Sequence, residues 1–345
     1  MQTEITQTSQ LLNPDGTLSQ VGWSRQPYLD CNLENAKFYT LKLFQPFRVK
    51  RWDYYAVFTP QRFFSATIAD LGYAGNIFVY TVDFETGEYY EEGLVIPLGN
   101  GIELPRNSTD DGRSFFENKQ ARLEFVKVGS RRSLSVRWPE FQDGRGIEAT
   151  IVLQTPPGHE DMTIVIPIES KRFYYNRKIN CLPASGFLRY GEVEEALAPD
   201  SSLASLDWGR GVWAYQSFWN WASASGFMPD GSTVGLNLGM GFGDTSAATE
   251  NAFILDGKLH KLDQVSFEYD SSDYMKPWQF ADNEGRLTLE FTPFTERVAT
   301  TNLAIITSEV HQMFGRYNGK LVTDEGETVE IADLIGFAEE HHARW

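Results

Sequence analysis

The sequence predicts an all-β protein made of two barrel- or sandwich-like halves and ending in a short helix. Three observations predict it. Short runs of alternating apolar and polar residues dominate the chain, and clusters of Gly, Asn, Asp and Pro separate them. No series of helical stripes alternates with these runs, which argues against a parallel α/β sheet. One order of elements (strand, bend, strand, turn, return strand) occurs twice, in residues 63–98 and again in residues 233–269.

The elements follow in order. Residues 62–68 and 76–82 read as strands, and Glu85-Thr86-Gly87-Glu88 turns the second into residues 89–96. Residues 122–128 and 134–138 pair around Gly129-Ser130, and residues 147–154 and 162–167 flank Pro156-Pro157-Gly158. In the second half, residues 233–239 form a strand that bends at Gly239-Met240-Gly241. Residues 252–262 form a hairpin centred on Asp256-Gly257, because a type I′ turn needs positive φ at both central positions. Residues 265–269, 286–292, 302–314, 319–322 and 328–331 continue the sheet, and a helix is expected from Ala332 to the end. The seam is expected between Ser170 and Gly191, dividing the chain into residues 1–175 and 176–345.

Composition bounds the function. A net charge of -17 argues against nucleic acid and against an anionic membrane surface as partners. The first 14 residues are polar, without the basic start and apolar stretch of a secretory signal, and no run is long enough for a membrane-spanning helix. A cytoplasmic location is therefore expected. Cys31 and Cys181 cannot supply a disulfide framework or a zinc site, and no metal is expected. The chain lacks a Walker A loop, a dinucleotide fingerprint and a Gly-x-Ser-x-Gly elbow, so no cofactor is expected either. Aromatic residues reach 14%, which suits broad half-buried strand faces and apolar pockets equally well.

The most informative segment is Asp207-Trp208-Gly209-Arg210-Gly211, followed by Trp213, Tyr215, Ser217, Trp219 and Trp221. Read as one strand, these last five share a face, and the aromatic ladder they make is either core or the wall of a ligand cavity. Arg210 beside that wall needs a carboxylate, and Asp207 is the nearest in sequence. Asp207 is also the candidate catalytic acid or base if it faces the cavity. Glu250 and Asn251 open a strand after a flexible stretch, as a ligand-orienting pair or as a loop cap. His311 lies inside an apolar strand, as a ligand contact or as a satisfied core histidine. Glu339-Glu340-His341-His342 reads as the surface of the terminal helix, where adjacent residues diverge too far to share one metal ion.

Several of these runs resemble a known family. Leu206-Asp207-Trp208-Gly209-Arg210-Gly211, residues 219–226 (WNWASASG), Asn176-Arg177-Lys178-Ile179-Asn180, residues 250–257 (ENAFILDG) and Phe314-Gly315-Arg316-Tyr317-Asn318-Gly319 resemble domain of unknown function 2804. More distantly, Trp208-Gly209 with Trp219, Trp221 and Asp230-Gly231 is similar to the carotenoid hydratase (hydroxyneurosporene synthase) and AttH-like group. That resemblance implies two lipocalin-like, calycin-type halves and, for some members, isoprenoid substrates. This chain departs from it where the group carries a His before its Trp-Gly pair; here stands Leu206-Asp207.

Three functions are compatible with these readings. The first is a binding protein for a lipid, fatty acyl chain or isoprenoid, with Trp208, Arg210, Trp213, Tyr215, Trp219, Trp221, Glu250, Asn251 and His311 as candidate ligand contacts. The second is an enzyme that hydrates, isomerises or cyclises an isoprenoid-like substrate by acid catalysis through Asp207. The third is a structural module whose aromatics are simply core.

Overall fold

The computed structural model describes residues 2–37, 42–169, 171–303 and 306–344. Three short strands open the chain: β1 (Ser9–Gln10), β2 (Gly22–Ser24) and β3 (Leu29–Asp30). A meander follows, made of β4 (Val49–Phe58), β5 (Arg62–Asp70), β6 (Ala74–Asp83) and β7 (Tyr89–Pro97). The first half continues with β8 (Gly112–Glu117), β9 (Arg122–Val128), β10 (Arg131–Trp138) and β11 (Ile147–Gln154). It ends with β12 (Met162–Glu169), β13 (Arg172–Tyr190), β14 (Val193–Leu197) and β15 (Leu203–Val212). The second half holds β16 (Gln216–Phe227), β17 (Thr233–Met240), β18 (Ala252–Leu255), β19 (Lys258–Lys261) and β20 (Val265–Glu268). It is completed by β21 (Trp278–Asp282), β22 (Leu287–Leu303), β23 (Ile306–Val322) and β24 (Thr328–Arg344).

Both halves are curled sheets with one plan. The first runs β7-β6-β5-β4-β15-β13-β11-β10-β9-β8, so its last strand returns to lie beside the first strand of its meander. The second runs β19-β18-β17-β16-β24-β23-β22-β21-β20, and again its last strand lies beside its first. This shared order is the physical content of the repeat in residues 63–98 and 233–269, and the halves are the lipocalin-like units expected. Alternate residues fill each interior. Val57, Phe64, Val79, Leu123 and Val136 pack inside the first half, and Phe253, Phe280, Leu289, Met313 and Tyr317 inside the second.

Two expectations need correction. The chain from Ala332 onward is strand β24, not a helix. It is hydrogen-bonded along one side to β16 and along the other to β23, and two partner strands satisfy its backbone without helical bonds. Asp207 to Trp221 is not one strand either. β15 stops at Val212, and Trp213 to Tyr215 carry the chain from the first sheet to the second. Gly211 sits at a crowded point before this crossing: a Cβ there would lie 2.4 Å from the Phe173 carbonyl oxygen on β13 and 3.0 Å from the indole nitrogen of Trp213. The change of sheet therefore falls at residues 213–215, whereas the expected 175/176 division lies inside β13.

The halves are packed face to face. Trp23, Met162 and Tyr174 from the first pack with Trp213 at the crossing and with Ala252, Ile254 and Leu259 from the second. Tyr54, Phe63 and Tyr80 meet Trp221, Phe314 and Phe337. A kink in β13 adds a polar pin. Cys181 has φ 58°, and the Asn180 amide nitrogen beside it lies within hydrogen-bond distance of Ser205 Oγ (3.2 Å), Ser223 Oγ (3.0 Å) and the Leu236 carbonyl (3.1 Å).

Gly209 sets how closely Trp52 can approach β15, because an added Cβ would fall 1.9 Å from the Trp52 ring. Gly209→Ala is expected to expel Trp52 and to cost about 1–3 kcal/mol, the usual range for overpacking. A urea midpoint equal to that of the unmodified protein would show that the ring relaxes freely.

Candidate functional site

Between the two sheets lies a cavity of about 630 Å³. Strand alternation aims its wall. Trp52 and Tyr54 share a face of β4, Phe78 and Tyr80 a face of β6, and Trp219 and Trp221 a face of β16. Trp213, at the crossing, touches Trp52 edge-on at a centroid distance of 5.2 Å, Trp219 at 5.5 Å and Phe242 at 4.5 Å.

Strand register places two rows of side chains across this space. In the first half the row is Lys178, Asp207, Tyr54, Thr67 and Phe78, on the adjacent strands β13, β15, β4, β5 and β6. In the second it is Trp221, Glu339, Gln312 and Arg297, on β16, β24, β23 and β22. Every one of these residues lines the cavity. Each row holds one carboxyl group on the last strand of its half.

The two carboxyls are built alike. Asp207 accepts the Trp52 indole N–H at 3.2 Å, the Asn176 amide at 2.6 Å and the Lys178 ammonium at 3.1 Å. Glu339 accepts the Trp219 indole N–H at 3.2 Å and the Gln312 amide at 2.9 Å. Trp52 and Trp219 each stand two residues before the aromatic that flanks the acid in its row. The difference is the donor on the neighbouring strand, an ammonium for Asp207 and a neutral amide for Glu339. Burial pushes the Glu339 carboxyl from the usual 4.5 up to about 7, against the opposing pull of Trp219, Arg297 and Lys178.

Other charged groups are fixed by pairing. Lys178 also reaches Glu250 at 3.5 Å and sits 3.8 Å above the Trp221 ring. Burial opposes its charge, yet Asp207 and Glu250 outweigh that and hold its pKa above the usual lysine range. Arg297 forms a two-pronged pair with Glu91, at 2.8 and 3.0 Å, over the Tyr80 ring at 4.0 Å. His341 lies against Trp219 at 3.9 Å, and burial, with Arg297 and His342 nearby, drives its imidazole down to about 3. At another part of the wall, burial lowers Lys50 to about 7 while its ammonium donates to the Leu71 carbonyl at 2.7 Å.

Of the residues singled out from the sequence, the cavity gathers Asp207, Trp213, Trp219, Trp221 and Glu250. Trp208 and Arg210 lie on the opposite face of β15, because neighbours on a strand alternate. Trp208 belongs to the core of the first half. Arg210 is fully buried and pairs with Asp53 at 3.1 Å, not with Asp207. Tyr215 sits on the crossing and is 42% exposed. Asn251 is a structural clamp, accepting from the Gly239 amide at 2.7 Å and donating to the Asp263 carbonyl at 2.9 Å. His311 lies off the cavity, bound to Glu296 at 2.6 Å and Glu309 at 3.1 Å and stacked on Tyr274. Trp52, Tyr54, Tyr80, Tyr174, Lys178, Arg297, Gln312, Glu339 and His341 went unnoticed as site residues. Glu339 and His341 carried no local signal: the buried run from Gly336 to His341 is set by the pairing of β24 with β16 and β23.

Comparison with known proteins fits this architecture. The chain matches the family described as "Domain of unknown function (DUF2804)" over residues 2–345. It belongs to that family. Among solved structures, this DUF2804 chain is similar to CghA, at 11% identity over 87% of this chain and 88% of the other, with a TM-score of 0.53. It is also similar to kievitone hydratase from Nectria haematococca, at 14% identity over 86% and 88%, with a TM-score of 0.50. A putative AttH from Nitrosomonas europaea shares 14% identity over 85% and 92%, with a TM-score of 0.48. At such identities the likeness is one of fold. No curated protein matches the chain. No helix among the described residues is long and apolar enough to cross a membrane.

The raised pKa of Glu339 makes a stability prediction for the DUF2804 chain. A carboxyl that is harder to ionise when folded carries no penalty below pH 4.5; the penalty grows through that window and is complete above about pH 7. Glu339→Gln removes it. The variant is expected to gain stability over the unmodified protein between pH 5 and pH 8, by up to about 3 kcal/mol. Urea unfolding at the two pH values measures this, and an equal difference at both would place the ionisation elsewhere.

Proposed function

We propose that this protein binds a hydrophobic small molecule bearing oxygen functions in the cavity between its halves. The observation that carries the reading is the wall itself. About 630 Å³ of space, open on one side, is lined by indoles and phenols from both sheets and interrupted by fixed charged groups. Small-molecule sites of roughly 300–1,000 Å³ have this mixture of apolar surface and a few placed polar groups. A purely structural seam gains most by closing, because wall atoms beside a void lose their dispersion contacts. Thr67 adds a second indication: its buried hydroxyl oxygen has no hydrogen-bond partner among the described residues, which suits a ligand oxygen in reach. Lys178, Arg297 and their carboxylates favour an oxygenated ligand over a bare hydrocarbon or an unmodified acyl chain.

A second reading, an enzyme, is favoured by Glu339, a buried carboxyl poised to exchange its proton near neutrality in an apolar site. That a protein named as a hydratase has this fold is in keeping with it. Under this reading Glu339 takes the acid role that the sequence suggested for Asp207, whose oxygens are engaged by Trp52, Asn176 and Lys178.

Tryptophan fluorescence tests binding, since Trp52, Trp213, Trp219 and Trp221 line the space. At least one of a panel of oleate, farnesol, geranylgeraniol and 2-tetralone is expected to change the emission saturably. Ala69, on β5 in the wall, offers a blocking substitution. Ala69→Trp is expected to weaken binding about tenfold or more, with the melting temperature recorded to confirm the fold. Emission unmoved by the whole panel, together with an apo mass by native mass spectrometry, would return the aromatics to a packing role.

A further inference from the structure

Binding alone leaves the arrangement around Glu339 unexplained. Gln312 presents its amide N–H to Glu339 because its own Oε1 already accepts from the Tyr80 hydroxyl at 3.0 Å and from Arg297 at 3.2 Å. Held at one oxygen by Gln312 and at the other by Trp219, the carboxyl keeps one orientation in the cavity wall. The charged and titratable groups that face it are Lys178 from β13, Asp207 from β15, Tyr54 from β4, Tyr80 from β6, Arg297 from β22 and, on its own strand, His341.

Those neighbours discriminate between two kinds of proton chemistry. Protonating an alkene builds a carbocation, which aromatic faces stabilise. Here, however, the Trp221 ring already carries the Lys178 ammonium at 3.8 Å and the Tyr80 ring the Arg297 guanidinium at 4.0 Å. Negative charge developing on a ligand oxygen would instead meet a cation of the wall, Lys178 or Arg297, each held in place before reaction by its carboxylates. Thr67 and Tyr174 add hydroxyl groups to the wall, and burial pushes the Tyr174 phenol well up, so it remains a proton donor.

We propose that Glu339 moves a proton on the carbon next to the carbonyl group of an apolar ketone or enone bound in the cavity. This rests on the reading that the cavity binds an oxygenated hydrophobic molecule. The Glu339 carboxylate takes the α-proton, the C–H electron pair becomes a C=C bond, and the carbonyl π pair moves onto oxygen. The enolate then takes a proton back from the carboxyl group, at the α-carbon or, in a conjugated ketone, at the γ-carbon. Where the carboxyl has exchanged with solvent in the meantime, that proton comes from water and the abstracted one leaves to it. No co-reactant is needed. With its pKa near 7, Glu339 is available in both forms at neutral pH, as a base that becomes an acid must be. Gln312 is the positioning residue.

The test uses the full chain with 2-tetralone and β-ionone as enolisable ketones and limonene as an alkene without a carbonyl group. Fluorescence reads binding, and mass spectrometry reads deuterium uptake from D2O into the ketone. At least one ketone is expected to bind and to exchange about 100-fold faster than in buffer, a typical scale for a positioned acid–base group. Glu339→Gln is expected to lose that exchange while Kd changes by less than about threefold. Gln312→Met, which keeps the acid but removes a donor to its charged form, is expected to retain exchange and to move the midpoint of its pH profile upward. Ketone binding without Glu339-dependent exchange overturns the proposal and leaves the binding reading standing. If both ketones fail to bind while farnesol or geranylgeraniol binds, the proposal alone is overturned; if every probe fails, that panel included, both are. Glu339-dependent hydration of limonene without ketone exchange replaces the enolate with a cation.

Discussion

Lys178 is the group on which the arrangement of the two halves depends. Its ammonium is nearly fully buried, and a buried charge is tolerated only when paired and hydrogen-bonded. Its partners come from both sides of the seam. Asp207 belongs to the first sheet, whereas Glu250, in the loop before β18, and the Trp221 ring beneath it belong to the second half. Either half alone would leave this charge short of partners. The same contacts that set the halves against one another also fix the polar end of the cavity, so assembly and site formation are one event.

That coupling explains why the crossing at Trp213–Tyr215 has its particular form. A strand running straight on from β15 would keep the chain in the first sheet. By turning there, the backbone brings Trp213 over Gly211 and against Trp52, Trp219 and Phe242, which close one side of the cavity. Glycine at 209 and 211 is thus a matter of close approach: one admits the Trp52 ring, the other the Phe173 carbonyl oxygen and the returning Trp213.

Local signals read the fold well and the site unevenly. Alternation and turn chemistry located the strands of both meanders, since Asp256-Gly257 and Glu85 to Glu88 act through a few neighbouring residues. Trp219 and Trp221 were legible as one face because aromatic pairs two apart mark a strand face. Glu339 was not. A run of Glu-Glu-His-His has the composition of a solvated helix surface, and only the long-range pairing of β24 with β16 and β23 turns its alternate members inward. Arg210 misled for the converse reason. Its need for a carboxylate was read correctly, but the partner, Asp53, is supplied by a strand far away in sequence.

The likeness of the two halves extends from topology to chemistry. In each, the last strand carries a carboxyl into the cavity, the first strand supplies an indole N–H two residues before the aromatic beside that acid, and the penultimate neighbour supplies a second donor. One side of this pattern ends in Lys178 and the other in Gln312. An ammonium holds its carboxylate as a fixed ion pair, while an amide leaves the buried acid to bear its own desolvation. Two similar carboxyls in one apolar space are thereby given different work: Asp207 secures the seam, and Glu339 is left with a proton to give or take.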